Sequence, residues 1–530
     1  MSGGPEPLVP SRRPDGWLPL GDLLRERARS RGEAMAAICG DVSLTNAEVD
    51  RRVDAAAMVL MEHGIGAGDH VLWLGQNCHR VLELLLACAR LGAALVPANW
   101  RQTPDELAWV IDDLEPRLVV WQRDGLARVV ELTRELVTSP VEWLCHDDGV
   151  DGYERRLATA GSGLGADRRP TVDARSPVLG IYTGAFGGKP SCALIDHAAI
   201  TAQSLVVAAV HGISHETVFL NSGPLFHVGT TMSTLATFVM GGTNVYIPTA
   251  DAAAICRAII THRVTRAFVV EPTRSEIVEL VEREGHDLRT LRGWPGSPAW
   301  NAIVTPDTST WGQDVGGYGQ TETMGHVSFR GLAPGASGEH GRPTSIVEIE
   351  VLDEAGRPAP RGELGELAVR GPQVMVGSHR RADQNAARRT PARWHRTTDL
   401  GRREADGSIT FVGPRARMLK SGVENVYPAE VEACIAAHPG VRACAVIGEP
   451  DPVWVQNVVA VVVRSSTGGD VDEAAIIEHC RARIASYKKP KRVVFVDELP
   501  RNGAFVDYAR LDAQHGGGGY PGGTTRAVRG

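Results

Sequence analysis

The stretch DHVLWLGQNCHRVLELLLACARLGAALVP, residues 69–97, decides the architecture. DHVLWLG is a short apolar run closed by glycine, as a buried strand would be. HRVLELLLACARLG carries apolar residues at helical spacing until Gly92, and AALVP is short and apolar again. A helix between two buried strands joins them in parallel. Upstream, Thr45 and Glu48 form a capping box ahead of AEVDRRVDAAAMVLMEHG, which Gly64 stops. Downstream comes a second capped helix, from Thr103 with Pro104 in its first turn, and then the strand RLVVW. The rhythm returns with helix HAAITAQSLVVAAV and strands TVFLNS, TNVYIP and RAFVV. The fold class is therefore α/β, a largely parallel sheet covered on both faces.

A chain of 530 residues is too long for one core. From about residue 335 to 413 the texture changes to short alternating runs such as IVEIEVLDEAGRP, ELAVRG and SITFVG between Gly, Pro and Asp turns, which predicts a β subdomain. Past Gly413 the order is helix PAEVEACIAAH, strands RACAVIG and NVVAVVV, helix DEAAIIEHCRARIAS and strand RVVFV, a compact α+β unit. The predicted organisation is a large N-terminal domain over residues 1–413 and a small C-terminal domain over 414–515. A flexible Gly-rich tail is predicted over 516–530.

Net charge is −7, with 43% hydrophobic and 22% charged residues, so no basic excess invites nucleic acid. The opening MSGGPEPLVPSRRPDG lacks the apolar core of a signal peptide, and no apolar run is long enough to span a bilayer. The expectation is a cytoplasmic protein with no membrane partner. Nine cysteines without a C-x-x-C pair point to small core residues rather than zinc ligands or disulfides. Of the 56 basic residues, five are lysine: Lys189, Lys420, Lys488, Lys489 and Lys491. A compact ammonium suits transient phosphate contact, so the lysines that fall in motifs are informative.

YTGAFGGKPS, residues 182–191, has the composition of a phosphate loop but fails the Walker pattern. Thr183 stands where the first glycine belongs, and Pro190 where a hydroxyl is required. Gly184, Gly187 and Gly188 can still turn backbone N–H groups inward as an anion nest, with hydroxyls from Thr183 and Ser191; taken alone, the loop reads equally as an ordinary glycine-rich turn. It is followed in order by GGYGQTET at 316–323, HRTTDLGRR at 395–403 and RARMLKSGVENVYPAEVE at 415–432. Together these resemble the adenylate-forming superfamily of acyl-CoA synthetases, luciferases and peptide-synthetase adenylation domains, over nearly the whole chain.

That resemblance implies two half-reactions in one site: an acid attacks the α-phosphorus of ATP, releasing pyrophosphate, and a nucleophile, often the thiol of coenzyme A, then displaces AMP. It implies ATP and Mg²⁺, with Glu322 holding the metal, Thr321 at the α-phosphate beside Gly319 and Gln320, and Asp399 accepting the ribose hydroxyls. Tyr318 and the WPGSP stretch from Trp294 through Gly296 would flank adenine or substrate, and His227 would line the acid pocket. Lys420 stands where relatives keep a lysine, and the small domain is implied to rotate between half-reactions with Arg417 at the pivot.

The departures fall at charged positions. Ser191 replaces the phosphate-loop lysine, while Lys189 stands two residues earlier. Pro414 replaces a ribose-binding arginine, with Arg415 beside it as a substitute. In LPRNGAFV, Phe505 replaces a glycine, and Val506 replaces the lysine that bridges carboxylate and phosphate during adenylation. Lys488, Lys489 and Lys491 in SYKKPKR read as solvated surface charges. Three functions stay open on the sequence: an AMP-forming ligase passing a small carboxylic acid to coenzyme A, a diazotase activating nitrite for an aryl amine, and a nucleotide-binding protein that has lost catalysis. The oligomeric state is not encoded in any of these motifs.

Overall fold

The computed structural model describes residues 16–150, 152–160, 170–184, 190–415, 417–422, 424–465, 471–502 and 505–519. The opening stretch forms strand His70–Leu74, helix His79–Leu91 and strand Ala94–Pro97, with the two strands parallel. They lie at the centre of a seven-stranded sheet whose strands Leu118–Trp121, Glu142–Cys145 and Pro177–Thr183 continue the parallel order. Ser191–Asp196 and Gly377–Ser378 close one edge antiparallel. A second, five-stranded sheet is parallel through Met35–Cys39, Thr243–Tyr246, Val218–Asn221 and Arg266–Ala267, with a hairpin partner at Val42–Thr45.

One core joins the two sheets. Val71 and Leu95 from the first and Ala37 and Tyr246 from the second share a cluster with the helices Asn46–Glu62, His79–Leu91, His197–His211 and Val228–Met240. Every residue of helix His79–Leu91 except Arg80 is buried, and its two buried charges are paired, Glu83 with Arg52 and Arg90 with Asp50 and Asp54. Each fully buried leucine there contributes roughly 1.5–3 kcal/mol. Thr45 with Glu48 and Thr103 with Glu106 form the two predicted helix starts as reciprocal capping boxes.

The predicted β subdomain is a four-stranded antiparallel sheet, Glu348–Leu352, Gly365–Arg370, His395–Arg403 and Ile409–Pro414. The small C-terminal unit pairs Val441–Asp451 with Val455–Arg464 and adds Arg492–Phe495 in parallel. The hairpin Leu419–Ser421 and Glu424–Val426 extends the same sheet. No helix among the described residues is long and apolar enough to cross a membrane.

Two expectations need correction. The strand read at RAFVV keeps only Arg266–Ala267 in the ladder, because the Phe268 carbonyl accepts the Ser222 hydroxyl and Val269 turns into the core. The tail is not free from residue 516: Gly516 caps helix Tyr508–His515, Gly518 N–H donates to the Gly448 carbonyl at 2.8 Å, and Gln456 Nε2 donates to the Gly519 carbonyl at 2.6 Å. Backbone groups brought beside a sheet take available partners even in a glycine-rich segment. The tail beyond Gly519 lies outside the described residues.

Candidate active site

A cavity of about 430 Å³ lies between the two units. Its large-domain wall is built from the YGQTE stretch, where strand Gly317–Gln320 turns through Thr321–Thr323 into strand Gly325–Phe329. A Cβ on Gly319 would stand 2.2 Å from the Gly325 carbonyl oxygen, so only glycine permits this bulged hairpin. The turn sends Tyr318, Gln320, Thr321 and Glu322 toward the cavity.

Asp399 arrives from strand His395–Arg403. Its Oδ2 accepts the Tyr318 hydroxyl at 2.9 Å and Gln320 Nε2 at 2.6 Å, and Gln320 also donates to the Thr397 carbonyl at 2.9 Å. Oδ1 has no hydrogen bond among the described residues, which leaves one carboxylate oxygen for an incoming donor. Burial pushes Asp399 up to about 6 against the pull of Gln320 and Tyr318. The Tyr318 ring stacks on Phe411 with centroids 5.2 Å apart, and His340 meets Phe411 edge-on at 5.5 Å. These flat groups border the carboxylate, and Phe411 and His340 were not singled out in the sequence.

Glu322 is 5% exposed, and burial raises its carboxyl above the ordinary range despite Arg388, whose Nη1 stands 3.4 Å from Oε1. Arg388 closes helix Ala382–Arg388, and Gln384 of that helix accepts the Ser191 hydroxyl at 3.3 Å. Nothing in RADQNAARRT marks this helix as part of a site; its neighbour in the sheet, Gly377–Ser378, brings it there.

Thr183 and Gly184 line the cavity where strand Pro177–Thr183 ends. A Cβ on Gly184 would fall 1.8 Å from the ring of Tyr427, so this glycine lets the small domain approach. Gly187, Gly188 and Lys189 lie outside the described residues.

From the small domain, the hairpin at 419–426 presents Lys420, Glu424 and Asn425 to the cavity, with Tyr427 just beyond. His227, the residue preceding helix Val228–Met240, meets Glu424 with Nε2 3.0 Å from Oε2. Arg101 binds the same carboxylate from the loop after strand Ala94–Pro97. Burial works against ionisation of Glu424, yet hydrogen bonding and charge from His227 and Arg101 hold it at about 2. Burial lowers Lys420, and Glu424 opposes the shift. Glu424 sits inside the quoted junction motif, but its partner 197 residues away cannot be read there.

Four expectations change. Lys488 is not a solvated charge: it is 6% exposed, and its Nζ lies 2.7 Å from both Glu106 Oε1 and Glu430 Oε1; burial lowers its pKa, but charge from Tyr487 and from these two carboxylates outweighs that and raises it. Gly296 is exposed and not among the cavity-lining residues, because WPGSP leads into the helix Pro298–Ile303 capped by Ser297; Trp294 packs on His211 and Phe268 instead. Arg415 is exposed and absent from the lining, its backbone N–H pairing with the Thr398 carbonyl at 2.9 Å as the β ladder ends. Ser191 does not line the cavity either, since it pairs with Thr183 in the sheet and gives its hydroxyl to Gln384.

Val506 packs into the small domain's second core with Leu511 and Val461 and takes no part in the cavity. Arg417 is clamped within the small domain, donating from Nη1 and Nη2 to Glu432 at 2.9 and 3.0 Å and lying 3.4 Å over the Tyr508 ring.

The family described as AMP-binding enzyme matches residues 24–379, and the AMP-binding enzyme C-terminal domain matches residues 430–505. A feruloyl-CoA synthase of Amycolatopsis sp is 32% identical over 491 residues, covering 92% of this chain and 96% of the relative. An indoleacetate–CoA ligase of Aromatoleum aromaticum is 32% identical over 473 residues, covering 86% and 90%. Among solved structures, ATP-bound MatB from Rhodopseudomonas palustris superposes with a TM-score of 0.64 at 26% identity, covering 94% of this chain and 98% of that one.

Proposed function

We propose, from the premise that this chain belongs to the AMP-binding enzyme family, how its residues divide the work of an ATP-dependent, AMP-forming acid ligase. The acid is a carboxylic acid and the acceptor the thiol of coenzyme A, as the names of the relatives indicate for those proteins. Nitrite activation finds no support among the named relatives, and that alternative is dropped. Loss of catalysis is disfavoured by a cavity that keeps Glu322, Asp399 and Lys420 together.

The observation that carries the reading is the carboxylate of Asp399, anchored on one oxygen by Tyr318 and Gln320, with no hydrogen bond to the other oxygen among the described residues, in the same cavity as Glu322 and Lys420. A ribose diol offers two donors and would take that acceptor, while adenine would lie against the Tyr318–Phe411 side. Thr321 and the end of the Pro177–Thr183 strand would face the phosphates. Glu322 offers one buried carboxylate, and no cluster of three or more His, Cys, Asp or Glu lies among the described residues. This donor set fits Mg²⁺ carried in on phosphate oxygens and water rather than a resident ion. When bound, Mg²⁺ would neutralise charge on the phosphates. The carboxylate oxygen of the acid then attacks the α-phosphorus, and pyrophosphate leaves.

Lys420 fits the second half-reaction because its hairpin faces the cavity while Val506 is turned away. Acid-dependent exchange of labelled pyrophosphate into ATP, with ferulic, indoleacetic and aliphatic acids as the panel, tests the reading. Exchange with at least one acid, lost by more than about 10²-fold in a folded Glu322→Gln variant, is expected. Exchange at the parent rate in that variant would remove the metal assignment.

A further inference from the structure

The large-domain wall of the cavity carries the carboxylates of Glu322 and Asp399 but, among the described residues, no lysine or arginine. The lysines that line the cavity, Lys420 and Lys488, belong to the small domain, and Lys488 is held by Glu106 and Glu430. A triphosphate set against two carboxylates needs a cation from the same wall. Arg388 stands beside that wall: its Nη1 is 3.4 Å from Glu322 Oε1, and its side chain is 12% exposed.

The helix Ala382–Arg388 is fastened along its length to the strands that enter the YTGAFGGKPS loop. Just before it, Arg381 donates to Asp113 at 2.6 Å, and Asp113 accepts the Tyr182 hydroxyl at 3.0 Å. Gln384 accepts the Ser191 hydroxyl at 3.3 Å, and Asn385 exchanges hydrogen bonds with the backbone of Ser378, whose strand pairs with Ser191–Asp196. Gln384 and Arg388 lie one turn apart and share a helix face. That face meets Ser191 at Gln384 and Glu322 at Arg388. Glu322 is tied to the same region, its carbonyl accepting the Met375 N–H at 2.8 Å while the Met375 carbonyl accepts Arg389 Nη2 at 2.8 Å. Arg388 is not wedged in place: with Arg389, Asn385 and His395 it borders a second cavity of about 50 Å³.

We propose that Arg388 is the large domain's phosphate-binding cation, moving from Glu322 to the β- and γ-phosphate oxygens when ATP binds and staying with pyrophosphate as it departs. The inference rests on the reading that the phosphates lie along Thr321 and the end of strand Pro177–Thr183. In adenylation a carboxylate oxygen of the acid bonds to the α-phosphorus. The bond from that phosphorus to the bridging oxygen breaks with its electron pair on oxygen, and pyrophosphate takes the charge. A planar guanidinium offers those oxygens a two-pronged donor, where an ammonium offers a point charge. Ser191 then serves the site without lining it, since its hydroxyl fixes Gln384 on the face that ends in Arg388.

The test titrates AMP, ATP and pyrophosphate into the whole protein by calorimetry, with Mg²⁺ present and no acid, beside pyrophosphate exchange. In Arg388→Gln, ATP and pyrophosphate should bind about 10-fold more weakly or worse, and exchange should slow about 10²-fold. AMP, which lacks the β- and γ-phosphates, should bind as it does to the parent. Arg388→Lys keeps a charge opposite Glu322 and with it the fold; it should still lose about 10-fold in affinity for ATP and pyrophosphate, because the fork is gone. Parent affinity for ATP and pyrophosphate in either folded variant, or an equal loss for AMP, would make Arg388 only a partner of Glu322 and overturn the proposal. Wild-type protein that binds ATP yet exchanges pyrophosphate with no acid would overturn the ligase reading instead, and the binding measurements would still decide the role of Arg388.

Discussion

Asp399 shows what burial does to a single functional group. Its pKa of about 6 lies above the ordinary carboxylate value, so the fold prefers it protonated. The sign follows from linkage: relief is complete at low pH, and a penalty on folding appears as pH rises through about 6. The proposed ribose contact has the opposite need, since two hydroxyl donors call for an ionised acceptor. AMP affinity measured by calorimetry should therefore fall between pH 7 and pH 5. Asp399→Asn should bind AMP about 10- to 100-fold more weakly at pH 7, from about 1.5–3 kcal/mol for a charged hydrogen bond, and should flatten the pH dependence. Its thermal stability should equal or exceed the parent's, and a destabilised variant would count against the assignment. Asp399 was legible in the sequence because it stands in an ordered motif set. Phe411 and Arg388 were not, since nothing local distinguishes an aromatic residue in SITFVG or an arginine in an arginine-rich chain.

In the proposed division of labour, the hairpin of residues 419–426 serves the second half-reaction. It places Lys420 and Glu424 on the cavity and continues directly into Tyr427, whose ring rests on Gly184. Lys420→Ala should slow transfer more than pyrophosphate exchange, because the hairpin addresses the cavity in this arrangement; equal losses in the two assays would place Lys420 in adenylation instead. Gly184→Val should act on the same balance from the opposite wall, since its side chain would occupy the space of the Tyr427 ring and keep the small domain from seating. The strand and helix elements were readable from period and caps alone, as the capping boxes at Thr45 and Thr103 illustrate. The two-residue strand at Arg266 was not, because edge pairing depends on the neighbour the chain meets.

At the scale of the whole molecule, the two domains are joined by charges buried between them. Lys488 binds Glu430 within its own domain and Glu106 in the large one, 382 residues away in sequence. Read locally, three lysines in SYKKPKR look like surface charges; the fold of the small domain supplies Glu430, and only the docked arrangement adds Glu106. Lys488→Met would leave both carboxylates buried without a cation, a cost of about 3–5 kcal/mol if the interface stayed shut. Undocking exposes them to water, so the expected result is faster proteolytic release of the small domain and slower transfer, with the melting of the large domain little changed. A large domain that melts markedly earlier would show that Lys488 serves the fold rather than the docking. The central claim, that an acid is activated as its adenylate, is tested most directly by following heavy oxygen from a labelled carboxylate through turnover with ATP and coenzyme A. The account predicts one labelled oxygen in the phosphate of AMP for each thioester formed; label in pyrophosphate or inorganic phosphate, or unlabelled AMP, would contradict it.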